Sequence, residues 1–65
     1  MRKELISIIT KLVAEDGEAN FEYICDAFYG IISSDKLDKE LTKMVNEGIL
    51  TFRNTGTFGY YNLKK

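Results

Sequence analysis

Between Ser33 and Leu63 two hydrophobic periods follow one another, and the switch between them limits the folds open to this chain. In DKLDKELTKMVNE, the residues Leu37, Leu41, Met44 and Val45 fall within an arc of about 100° at helical pitch. Gly48 stops that helix. Two β-prone segments follow, Ile49 to Arg53 and Phe58 to Leu63, around Asn54-Thr55-Gly56, where Asn and Gly tolerate positive φ. A helix feeding a β-hairpin is the expected result. Alternation then sets Phe58, Tyr60 and Asn62 on one face of the second strand and Gly59, Tyr61 and Leu63 on the other.

Two more helices are expected upstream. Over residues 2–15, Leu5, Ile6, Ile8, Ile9, Leu12 and Val13 occupy an arc of about 160°, with Ser7, Thr10, Lys11 and Ala14 opposite. Gly17 suits the C-terminal cap. A second helix is expected over residues 21–29, with Asn20 as N-cap and Glu22 in the first turn, where the helix dipole favours an anion. Its apolar face is Phe21, Ile24, Cys25, Ala27 and Phe28, and Glu22, Tyr23 and Asp26 point outward. Gly30 turns the chain, and either Ile31 or Ile32 plugs the corner between helices. Ser33 or Ser34 caps the third helix, and Asp35 adds an anion to its first turn. The expected architecture is α+β, three helices followed by a two-stranded β-hairpin, in one domain over residues 1–65.

A 65-residue chain buries only roughly 60% of its unfolded surface, so marginal stability or oligomerisation is expected. The wide apolar arc of the first helix has room for a dimer contact, with Ile8 at its edge. One cysteine and no histidine exclude a disulfide framework, a zinc site of the usual type and histidine-dependent catalysis. Cys25 has no histidine and no cationic cluster near it in sequence and reads as a packing thiol. No catalytic residue, metal or cofactor is expected. No apolar run approaches the ~20 residues that span a bilayer, and the charged start RKE does not resemble a signal peptide, so a cytoplasmic protein without a membrane partner is expected.

The net charge is −1, unevenly spread. Residues 1–30 hold three cations against six anions, net −3, and residues 31–65 hold six against four, net +2. The distribution, more than the total, sets the field that a polyanion meets. In the third helix, Lys36, Lys39 and Lys43 lie within about 60° of each other on the face opposite the leucines. Thr42, Asn46 and Asp35 share that outward side. Lysines neutralise phosphates or approach guanine acceptors, and asparagine pairs with adenine, so this face suits a nucleic-acid groove. The same helix also has Asp35–Lys39, Lys36–Glu40 and Lys43–Glu47 at i, i+4, the spacing of a solvated, charge-paired surface. Lys39 and Lys43 are a like-charge i, i+4 pair, a cost that a bound anion relieves. Arg53, beside the hairpin tip, is either a contact to a minor groove or backbone, or a charge that blunts an edge strand.

The segment LDKELTKMVNEGILTFRNTGTFGYYNL resembles the winged helix-turn-helix family: spaced leucines, a Gly at the helix end, two aliphatic residues, then a hairpin ending in aromatics. With the first helix the likeness covers nearly the whole chain, and it is similar to small bacterial, archaeal and viral transcriptional regulators. The resemblance implies a sequence-specific regulator of double-stranded DNA, whose third helix would enter the major groove through Lys36, Lys39, Thr42 and Lys43, with Arg53 on the wing. Asn46 joins them from its place on the same face, and a homodimer is expected from the chain's size and the wide apolar arc of the first helix. A second resemblance, in DAFYGIISSDKLDKELTKMVNEG, is to the small winged-helix partners of ferrous-iron transporters. It implies a protein-binding module that uses Tyr23, Tyr29, Phe58, Tyr60 and Tyr61. Those proteins carry cysteines in the wing, and this chain has none there.

Overall fold

Apolar residues three and four apart wind the start of the chain into α1 (Arg2–Asp16), which buries Leu5 and Ile9. The computed structural model describes residues 1–64; Lys65, counted above in the basic half, lies outside them. Gly17 ends α1 at φ 86°, its N–H donating to the Val13 carbonyl at 2.8 Å, as the sequence leads one to expect. A two-residue strand, β1 (Ala19–Asn20), runs directly into α2 (Phe21–Ala27). The turn after α2 leads to α3 (Ser34–Asn46), then β2 (Leu50–Asn54) and β3 (Gly59–Leu63).

Over the described residues the result is α+β, three helices and one three-stranded antiparallel sheet of order β1-β3-β2. The hairpin is in the expected place, with Leu50 opposite Leu63 and Asn54 opposite Gly59. The expected two strands, however, are three. Ala19 pairs with Tyr61 and Asn20 with Tyr60, so β3 is the central strand. A two-residue strand has no alternation to read. Moreover, an N-cap residue has extended φ and ψ, so Asn20 (φ −69°, ψ 133°) serves the ladder and the cap at once. Its side chain accepts the Glu22 N–H at 2.8 Å.

Helix α2 is shorter than the 21–29 expected. Phe28 leaves helical geometry at φ −112°, ψ 15°, and Gly30 turns at φ 79°. Ile32 fills the corner against the core, and Ile31 remains in solvent. Ser33 is the serine that caps α3, accepting the Lys36 N–H at 3.3 Å.

One core holds the elements together. Leu5 and Ile9 of α1, Ile24 of α2, and Leu37, Leu41 and Met44 of α3 meet Ala19, Leu50 and Tyr61 of the sheet. The Tyr61 ring packs at a tilt, its centre 5.0 Å from that of Phe52 and 6.4 Å from that of Phe21. Burial, with Asp38 and Cys25 nearby, pushes its hydroxyl pKa up to about 12. Tyr61 is thus a core residue and is not available to a partner. Burial first, and the carboxylates of Asp26, Glu22 and Asp38 next, raise the Cys25 thiol above its ordinary value. No helix among the described residues is long and apolar enough to cross a membrane.

Candidate nucleic-acid interface

The rotation of α3 about its axis is fixed by three leucine-sized plugs. With Leu37, Leu41 and Met44 fully buried, the residues between them are forced outward. Lys36, Lys39, Thr42, Lys43 and Asn46 are all exposed. Together with Met1 and Glu40 they line one shallow depression of about 420 Å³. Five of the six residues singled out from the sequence therefore share one surface. The sixth, Arg53, lies elsewhere.

The carboxylates of α3 do not hold these lysines. Among the described residues there are four ion pairs, and none includes Lys36, Lys39 or Lys43. Glu40 and Glu47, spaced to pair with Lys36 and Lys43, are both taken by Arg2 from the start of α1. One guanidinium nitrogen of Arg2 donates to Glu47 Oε1 at 2.7 Å; the other donates to Glu47 Oε2 at 3.2 Å and to Glu40 Oε1 at 3.4 Å. A guanidinium presents a planar fork that fits a carboxylate with two bonds, which an ammonium cannot do. The Arg2 hydrogen bond holds the Glu47 carboxyl below the usual carboxylate range, with the charges of Arg2 and Lys43 acting the same way. Glu40 on the lysine helix and Glu47 at its C-cap are thus engaged by one arginine, 38 and 45 residues away in sequence. The three lysines keep their charge for solvent or for a ligand.

Arg2 is the residue that reading the sequence missed. It carries no helical-period signal, and its partners are local to one another but remote from it. Only the fold, which brings the start of α1 to the C-terminal part of α3, joins them.

The wing is arranged in the opposite sense. Asn54 accepts the Gly56 N–H at 2.7 Å, and Thr55 N–H donates to the Phe58 carbonyl at 3.0 Å, closing the tip where Gly56 has φ 90°. Arg53 sits at the base of that tip. Its Nε donates to Glu18 Oε1 at 3.0 Å and its Nη2 to Glu18 Oε2 at 2.7 Å. The guanidinium carbon also lies 4.8 Å from the centre of the Tyr60 ring, its cross-strand neighbour. That hydrogen bond lowers the Glu18 carboxyl below its ordinary value and raises Arg53. Arg53 staples β2 to the segment before β1.

The exposed aromatics divide similarly. Tyr23 and Tyr29 are exposed, and so are Phe52 and Phe58 on the hairpin, whereas Tyr60 is half-buried under Arg53. Compared with family models, with curated proteins and with solved structures, the chain matches none.

Proposed function

We propose that this chain is a sequence-specific, double-stranded DNA-binding transcriptional regulator of the winged helix-turn-helix kind, acting in the cytoplasm as a two-fold pair. The observation that carries the reading is the unpaired lysine row. Arg2 occupies Glu40 and Glu47, so on the outer face of α3 Lys36 and Lys43 stand without the acids spaced to pair with them, and Lys39 lies between them. The element order, three helices and a hairpin, is compatible with a winged-helix layout, and β1 adds a third strand to the wing sheet.

In this reading α3 lies in the major groove. The lysines meet phosphates or guanine acceptors, and Thr42 and Asn46 meet base edges. The hairpin lies along the flanking backbone, where Arg53 contributes only by exchanging Glu18 for a phosphate. With three free lysines per copy, log K should fall with log salt at a slope of about −3, steepening to about −4 if Arg53 joins them. The protein is a binding module in this reading and not an enzyme.

The alternative is a protein-binding winged helix. It is favoured by the net charge of −1 and by the exposed Tyr29, Phe52 and Phe58. Fluorescence anisotropy with a random-sequence duplex, at low and then near-physiological salt, separates the two. Binding that weakens steeply with salt is the expected result and leads to selection of a specific site. No binding at low salt removes the DNA reading and leaves the protein-binding one.

A further inference from the structure

Asp38, Thr42 and Val45, spaced i, i+4 and i+7, form a stripe along the side of α3 that borders the hairpin. With Phe52 of β2 and Tyr61 of β3 they line a cleft of about 180 Å³. It is more enclosed than the lysine depression. It is also smaller than the roughly 300–1,000 Å³ of sites that take drug-sized molecules.

Two polar groups of this cleft have no partner. Asp38 takes part in none of the ion pairs and none of the side-chain hydrogen bonds among the described residues. Tyr61 keeps only 4% of its surface, and its hydroxyl is absent from those hydrogen bonds too. Yet no buried side-chain polar atom among the described residues lacks a partner. The Tyr61 oxygen is therefore not sealed, and the surface that Tyr61 lines is this cleft. Tyr61 offers a protein no face to dock on, but a small molecule in the cleft meets it. The charge of Asp38 adds to the burial that raises the Tyr61 hydroxyl, so the two groups are close neighbours.

A glycine sets the aromatic wall. Phe52 lies opposite Tyr61 across the strands, the ring centres 5.0 Å apart and the planes tilted by 45°. The Phe52 ring also rests against Gly59, where a Cβ would stand 2.9 Å from Phe52 Cε1 and push the ring away. With no Cβ there, the ring lies along β3 and walls the cleft, although it is 47% exposed.

A carboxylate and a phenolic oxygen accept hydrogen bonds, and aromatic rings attract cations to their faces. An ammonium has three donors and no acceptor. An anionic ligand would meet Asp38 with like charge. Val45 and the rings suit a short apolar body. The lysines of α3 do not fill the role themselves, because Lys36, Lys39 and Lys43 line the other depression. We infer that the cleft between α3 and the hairpin binds a small organic cation, an ammonium on a short apolar body, which donates to Asp38 and to the Tyr61 oxygen beside the Phe52 ring. Thr42 lines both this cleft and the lysine depression, so an occupant touches the helix offered to DNA. The site itself needs no DNA and its test contains none, so the two readings can fail separately.

Benzylamine is the probe, and benzyl alcohol its neutral counterpart, in a two-dimensional amide NMR titration at fixed ionic strength. Benzylamine is expected to shift the signals of Asp38, Thr42, Phe52 and Tyr61 with a dissociation constant of about 1 mM, ordinary for so small a ligand. Benzyl alcohol should bind at least about tenfold more weakly. Asp38→Asn changes an exposed side chain, so the spectrum should keep its dispersion while benzylamine binding weakens by about tenfold. Tyr61→Phe removes one unbonded oxygen, so the fold should persist and binding weaken by about threefold. Shifts that are absent up to tens of millimolar, or that fall outside the cleft, overturn the inference. So does benzyl alcohol that binds as tightly as benzylamine, or a folded Asp38→Asn or Tyr61→Phe that binds benzylamine like wild type.

Discussion

The outer face of α3 and the tip of the hairpin each stand beside a forked arginine–glutamate pair, with opposite consequences. On α3 the arginine comes from elsewhere and takes up acids, so the cations native to the helix are released. On the hairpin the arginine is the local cation itself, and Glu18, from before β1, takes it up. The same guanidinium chemistry exposes charge in one region and hides it in the other. Which residue is borrowed and which is native decides the field at a surface, and a count of lysines and arginines along the chain cannot show it.

Four experiments press on that contrast. The largest effect is expected from Lys39→Glu with Lys43→Glu, which should weaken duplex binding by more than about 100-fold with the fold unchanged by circular dichroism. Arg53→Gln, measured in the same titration, should change it by less than about threefold. If the two results are reversed, the wing and not α3 holds the polyanion. Next in size is Arg2→Gln. Freeing Glu40 and Glu47 to pair with Lys36 and Lys43 should weaken binding by about five- to tenfold, and Glu40→Gln with Glu47→Gln on that background should restore it. Restoration distinguishes masking of the acids from a direct phosphate contact by Arg2, which the added glutamines would not replace. Smaller again is Glu18→Gln, which releases Arg53. It should tighten binding by about two- to threefold and steepen the salt slope by about one.

The smallest effect is on acid titration. The folded pKa values of Glu47 and Glu18 lie below the ordinary 4.5. Their pairs therefore support the fold fully above the unfolded-state value, and that support is lost as pH falls through the lowered folded one. Carboxyl chemical shifts followed by NMR should show both residues inflecting below 4.5, and a normal inflection for either would remove its arginine as a partner in solution.

Much of this architecture could be read from periodicity. Leu37, Leu41 and Met44 fix the rotation of α3 because three buried side chains at helical spacing leave one orientation for the rest. The lysine surface is therefore legible in the sequence. The hairpin was legible for the same local reason, since Gly56 takes the positive φ that glycine allows, whereas Asn54 has no positive φ and serves the turn by accepting the Gly56 N–H with its side chain. What could not be read is long-range. Strand β1 is too short to carry a period, and its partner lies some forty residues on, at Tyr60 and Tyr61. The Arg2 and Arg53 pairs join positions 45 and 35 residues apart. The choice between Ile31 and Ile32 for the corner turned on backbone angles at Gly30, which composition does not reveal.

The central position of β3 bears on the order of events during synthesis. Residues 59–63 are made after every other element described, yet β1 and β2 both hydrogen-bond to them. While the first fifty residues emerge, the three helices can form locally, but Ala19 and Asn20 have nothing to pair with, and Leu50 has no opposite strand. Bringing residue 61 back to residue 19 is the slow, entropically costly closure of a long loop. The sheet should thus appear in one late step, together with the tyrosine that completes the core. A nascent chain stopped before Gly59 would be a string of helices with an open hydrophobic face, the kind of surface a chaperone covers.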